Sequence, residues 1–119
     1  MEVRWIEHEG KKILYIDYRG PKDGKDAVDL LMKAVETEKR SEGHLLILQN
    51  FEGTFGNDEY MAKVKEVGKE VNDKVFRNAL VGITGVKKIL LAGYAKISGE
   101  KGLKTFDSEQ AGKEWLISP

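Results

Sequence analysis

The sequence predicts an α/β fold: a single mixed, mostly parallel five-stranded sheet with an antiparallel edge strand and four helices, in the order ββαβαβαβα. Three observations carry this reading. Two short alternating runs at the start are joined by a turn containing Gly10. Two later runs, His44 to Asn50 and Asn78 to Thr84, are apolar at successive positions, the pattern of strands buried on both faces of a parallel sheet. Between and after these runs the apolar residues recur every three or four positions, the period of an amphipathic helix.

Each element has its own justification. Val3 to His8 alternates as a strand, Glu9-Gly10-Lys11 turns, and Lys12 to Tyr18 alternates again, which together read as a hairpin. Ile13, Tyr15 and Asp17 then share one face of the second strand, and Leu14, Ile16 and Tyr18 the other. Arg19-Gly20-Pro21-Lys22-Asp23-Gly24 breaks the pattern. A helix from about Lys25 carries Val28, Leu31, Met32 and Val35, with Lys39-Arg40 in its last turn and Gly43 as its left-handed cap. After the strand His44 to Asn50, Asn57 is the N-cap of a second helix. Its stripe is Tyr60, Met61, Val64, Val67 and Val71, supported by Glu59–Lys63 and Glu70–Lys74 pairs. After the strand Asn78 to Thr84, a third helix carries Val86, Ile89, Leu90, Tyr94 and Ile97 and stops at Gly99. Leu103 to Phe106 is a short strand. Asp107 and Gln110 form a capping box, with Ser108 part of the cap, for a last helix that buries Ala111, Trp115 and Leu116.

Composition bounds the function. The chain of 119 residues suits one domain, 1–119. Apolar residues make up 40%, enough for one core, and 20 basic residues balance 20 acidic ones. No basic excess points to nucleic acid. There is no cysteine, which removes disulfides, thiolate nucleophiles and Cys-ligated metals. The start of the sequence lacks a signal-peptide pattern and no apolar run is long enough to span a bilayer, so the expectation is a cytoplasmic domain. His8 and His44 lack ligand spacing, no serine lies in a Gly-x-Ser-x-Gly elbow, and Gly53-Thr54-Phe55-Gly56 lacks the Gly-Lys-Ser/Thr ending of a phosphate loop. The expectation is therefore a protein without catalytic activity, metal or cofactor.

The candidate working edge follows the strand Leu45-Leu46-Ile47-Leu48-Gln49-Asn50. An apolar run ends in two amides and the loop Phe51-Glu52-Gly53-Thr54-Phe55-Gly56-Asn57 before a helix begins. In open α/β sheets ligands and partners are received at such strand ends. Asn50, Glu52, Gly53, Thr54, Gly56 and Asn57 form the candidate interaction loop, with Thr54 its one hydroxyl. Asp17 ends the second strand and Thr84 the fourth. With Phe51, Phe55, Val86, Leu90 and Tyr94 they make an alternative ligand pocket between helices and sheet.

The element order with this polar loop resembles the anti-sigma-factor-antagonist (STAS) fold. The stretches Ala79-Leu80-Val81-Gly82-Ile83-Thr84-Gly85-Val86-Lys87-Lys88-Ile89-Leu90 and Thr105-Phe106-Asp107-Ser108-Glu109-Gln110-Ala111-Gly112-Lys113-Glu114-Trp115-Leu116 look like small STAS-like proteins, whose fold is also compared with CRAL-TRIO lipid carriers. In signalling STAS domains an Asp-Ser-Ser-Gly-like motif after the third strand is phosphorylated, and the charge breaks partner binding. Here an amide replaces the acidic residue and the double serine is missing. The resemblance implies a protein-interaction or regulatory module with a protein partner. The alternative is a carrier or sensor of a small apolar or lipid-like ligand. The sequence leaves a homodimer open.

Overall fold

The computed structural model describes residues 2–20, 24–53, 58–83 and 102–119. Strands β1 (Glu2–His8) and β2 (Lys11–Asp17) form the expected antiparallel hairpin, in register from Glu2 opposite Asp17 to His8 opposite Lys11. Glu9 and Gly10 both take positive φ, 51° and 81°. Two successive left-handed residues are what a two-residue hairpin turn of matching twist requires, and Gly10 accommodates this without strain. Strands β3 (Leu45–Asn50), β4 (Val75–Val81) and β5 (Leu103–Phe106) add in chain order, each parallel to the one before.

Helices α1 (Gly24–Lys39) and α2 (Asp58–Gly68) lie together on one face of the sheet. Right-handed crossovers between strands added in sequence place successive helices on the same side. Leu14, Ile16, Ile47 and Leu80 meet Leu31, Val35, Tyr60 and Val67 there. Helix α3 (Glu109–Ile117) covers the opposite face, where Ile13, Tyr15, Leu48, Ala79 and Val81 pack with Leu116. The assignment of alternate β2 residues to opposite faces is as expected. Gly112 lets α3 approach closely, since a Cβ there would stand 2.9 Å from Leu48 Cδ1.

The described residues contain three of the four expected helices; the one expected over Val86 to Ile97 lies outside them. Several local expectations are corrected. β4 begins at Val75, not Asn78. Phe76 is exposed and the register with β3 shifts there, so the start of the strand lacks apolar alternation. Arg77 belongs to the strand because its Nη1 donates to the carbonyl oxygens of Trp115 (2.7 Å) and Ser118 (2.8 Å). Gly43 is left-handed (φ 113°) but stands beyond the end of α1, whose terminal carbonyl at Lys39 accepts from Lys74 Nζ at 2.7 Å. Lys74 is thereby engaged with α1; Glu70 pairs with Lys39 at 3.4 Å and Lys63 with Glu66 at 3.3 Å, in place of the expected Glu70–Lys74 and Glu59–Lys63 pairs. Ser108 is the N-cap of α3, its hydroxyl accepting from Ala111 N at 3.1 Å. Gln110 pairs forward with Glu114 and does not close a box with Asp107. Trp115 is half-buried, its ring 5.4 Å from that of Phe106 and flanked by Arg77 and Lys104.

Candidate functional site at the carboxyl edge of the sheet

Asp17, Asn50, Val81 and Phe106 stand side by side in one register row, at the ends of four parallel strands. The first two end their strands in the same way. Asp17 Oδ1 accepts the backbone N–H of Arg19 at 2.9 Å, and Asn50 Oδ1 that of Glu52 at 2.8 Å. Each short polar side chain thus takes over an amide two residues on and turns the chain away from the sheet. Gly82 follows Val81 with φ 87°, and a Cβ there would lie 2.5 Å from Glu52 Cα and N. The loop after β4 therefore rests directly on the loop after β3, a contact that only glycine permits.

On the α3 face this edge carries a connected polar network. Asp17 grips the Arg19 guanidinium side-on, Nε to Oδ1 at 2.9 Å and Nη2 to Oδ2 at 3.1 Å. Arg19 Nη2 also reaches the Tyr15 hydroxyl at 3.3 Å. That hydroxyl donates to Glu109 Oε2, which also accepts from Asn50 Nδ2 at 2.7 Å. The network ties β2, β3 and the first turn of α3 together. Asp17, Tyr15 and Asn50 are buried, whereas the Arg19 side chain is 48% exposed. A fixed cation is thus displayed at the rim by buried partners. Arg4 of β1 adds a second guanidinium, 5.2 Å from the centre of the Tyr15 ring.

The proton affinities follow from these contacts. Burial pushes Tyr15 up to about 12, reinforced by its bond to Glu109 and the nearby carboxylates. Burial alone would raise Asp17, but the side-chain and backbone N–H groups of Arg19 outweigh it and hold the carboxyl below its ordinary value. Glu109 is likewise lowered: the donors Tyr15 and Asn50, with Arg19 and Lys113 nearby, overcome desolvation. The phenol moves up and both carboxyls down, away from neutrality in each case. General acid–base chemistry near neutral pH calls for the reverse movement.

The sequence-predicted residues divide between the two faces. Asn50, Glu52 and Gly53 lie at this edge, with Glu52 and Gly53 exposed and Gly53 left-handed at φ 72°. Thr54, Gly56 and Asn57 lie outside the described residues, as do Phe55, Thr84, Val86, Leu90 and Tyr94. The two described members of the alternative pocket are not brought together. Asp17 belongs to the α3 face, while Phe51 is buried under α1 and α2, stacked on Tyr18 with ring centres 4.5 Å apart. Beside Phe51 a cavity of about 90 Å³ is lined by residues including Leu31, Val35, Glu38, Tyr60 and Met61. Tyr15, Arg19 and Glu109 were not signalled as site residues. Tyr15 reads as core, Arg19 as part of a chain break, and Glu109 as a helix-start carboxylate. The available signal was Asp17-x-Arg19 at a strand end, a spacing that lets one carboxylate take both the backbone and the side chain of the arginine.

Among the described residues no group of three or more His, Asp or Glu side chains converges to hold a metal, and no helix is long and apolar enough to cross a membrane. No protein-family model matches the chain, and comparison with the curated proteins and with the solved structures gave no match.

Proposed function

We propose that this protein is a non-catalytic, STAS-like regulatory module of the cytoplasm that receives a protein partner at the carboxyl edge of its sheet. The observation that carries the reading is Arg19, clamped flat by buried Asp17 yet half exposed, at the same sheet edge from which the exposed Glu52-Gly53 segment leaves β3. A charged group already ordered in the free protein loses little side-chain entropy on binding, and complementary charge favours one partner over others. Thr54, the loop's one hydroxyl, is where added charge would gate the contact.

Affinity capture from the protein's own host tests this. Glu52→Lys and Thr54→Glu should each release the partner held by wild type while leaving the melting temperature nearly unchanged. A partner retained by both variants would remove the loop from the interface and sink the proposal. A second reading, a carrier of a small apolar ligand, draws on the cavity beside Phe51. Its volume of about 90 Å³ is well below the several hundred cubic ångströms of ligand sites, which places this reading second. Native mass spectrometry of host-purified protein would reverse the order if it showed a retained small molecule.

A further inference from the structure

We infer that β1 is an interface for a second copy of this chain, pairing antiparallel with β1 of that copy so that two sheets join into one. β1 is the outer strand of the sheet, and among the described residues no chain lies beyond it. It runs seven residues without bulge or proline, whereas the other edge strand, β5, has four. A long straight edge is a template for further pairing.

The hairpin fixes which groups face outward. A two-residue turn closes on a hydrogen-bonded pair, here His8 and Lys11, and such pairs alternate along the ladder. Arg4 and Ile6 therefore share the hydrogen-bonded sites with β2. Val3, Trp5 and Glu7 turn their N–H and C=O groups to the open edge. A twofold axis through Trp5 uses all of them, setting Trp5 against Trp5 of the second copy and Val3 against its Glu7.

The side chains agree with this register. Trp5, in the middle of the strand, is 46% exposed, and a directly opposed aromatic pair is a favourable cross-strand contact. Glu2 falls opposite His8 of the second copy and Arg4 opposite its Ile6. Centring the axis on Arg4 would oppose two guanidinium groups, and centring it on either Arg4 or Ile6 would forfeit the Trp5–Trp5 pair. Helix α1 adds self-complementary charge. An open groove between β1 and α1 is lined by Glu2, which pairs with Arg4 at 3.0 Å, by Asp26 and Asp29 near the start of the helix, and by Lys33, Glu36 and Arg40 farther along. A twofold axis runs the two α1 helices antiparallel and brings the acidic start of one toward the basic end of the other. Glu36 and Arg40 are paired with each other at 3.8 Å, so the contact across the axis rests on Asp29 of one copy and Lys33 of the other.

Sedimentation equilibrium and amide hydrogen exchange of the full chain, followed from micromolar to submillimolar concentration, test the interface. The expected result is a species of twice the 13.4 kDa chain mass at high concentration. The amides of Val3, Trp5 and Glu7 should gain protection with concentration, and those of Arg4 and Ile6 should be protected throughout. Glu7→Pro removes an outward N–H without touching the ladder to β2, and Trp5→Lys places a charge on the edge. Both should stay monomeric where wild type dimerises, with unchanged protection of Arg4 and Ile6. A wild type that is monomeric throughout would overturn the inference. So would a dimer whose Val3, Trp5 and Glu7 amides stay open, or an edge protected only when host extract is added, which would give the strand to another protein. Should Glu7→Pro unfold, Trp5→Lys alone decides.

Discussion

Arg19 is ordered by a residue two positions before it, and its carboxylate partner is held in turn by the strand it ends. The neighbouring hydroxyl of Tyr15 both accepts from Arg19 and donates to Glu109. Tyr15→Phe removes both roles from a buried position and should cost about 1–2 kcal/mol in urea unfolding. Its titration gives a second, signed prediction. The folded state raises Tyr15 to about 12, above an unfolded value of about 10, so folding binds the proton more tightly. That stability is fully present below about pH 10 and is lost as pH rises toward about 12. Tyr15→Phe should flatten this alkaline fall in part, the remainder belonging to Tyr18, which burial also raises. An alkaline fall of unchanged size in the variant would show that the Tyr15 hydroxyl is not held as described.

Helix α3 shows how one element divides its work between neighbouring side chains. Leu116 is fully buried against the sheet, and Leu116→Ala should cost about 2–5 kcal/mol. Trp115 is half-buried among Phe106, Arg77 and Lys104, so Trp115→Ala should cost less than the roughly 3–5 kcal/mol of a fully enclosed tryptophan. Thermal melts of the two variants should rank Leu116→Ala as the more damaging, and the opposite ranking would mean that α3 is rotated on the sheet. Gly82→Ala should lower stability more than a surface change would, because the added methyl meets Glu52 backbone at 2.5 Å in a left-handed conformation. The elements were legible in the sequence where period and composition agreed, as in β2, β3, β5 and α1. The start of β4 was hidden because Phe76 and Arg77 satisfy themselves through His44, Trp115 and Ser118, partners distant in sequence. The same reason hid half of the candidate site. Asn50 and Glu52 announce a polar strand end, but nothing local to Tyr15 or Glu109 reveals that they meet across 94 positions.

Across the described residues the molecule is a sheet with helices on both faces, and a partly buried polar network at one edge ties the sheet to α3. Asp17 and Glu109 both bind protons less readily folded than unfolded. Their contribution is present above the unfolded carboxylate values of about 3.9 and 4.3 and is lost as pH falls through the lower folded ones. Chemical unfolding measured across the acid range should show stability declining there, and Asp17→Asn together with Glu109→Gln should make the decline shallower. An unaltered acid profile in the double variant would place the acid sensitivity elsewhere. The strand order has a consequence for synthesis. Since β1 to β5 add in chain order, each strand leaving the ribosome finds its neighbour already formed, and the growing sheet never waits for a later strand to fill a gap. Its second face is different. Ile13, Leu48, Ala79 and Val81 are covered by α3, which is made after every strand. A nascent chain that has finished its sheet therefore carries a bare apolar face until α3 docks, and this is the interval in which a chaperone would hold it and a stalled chain would aggregate.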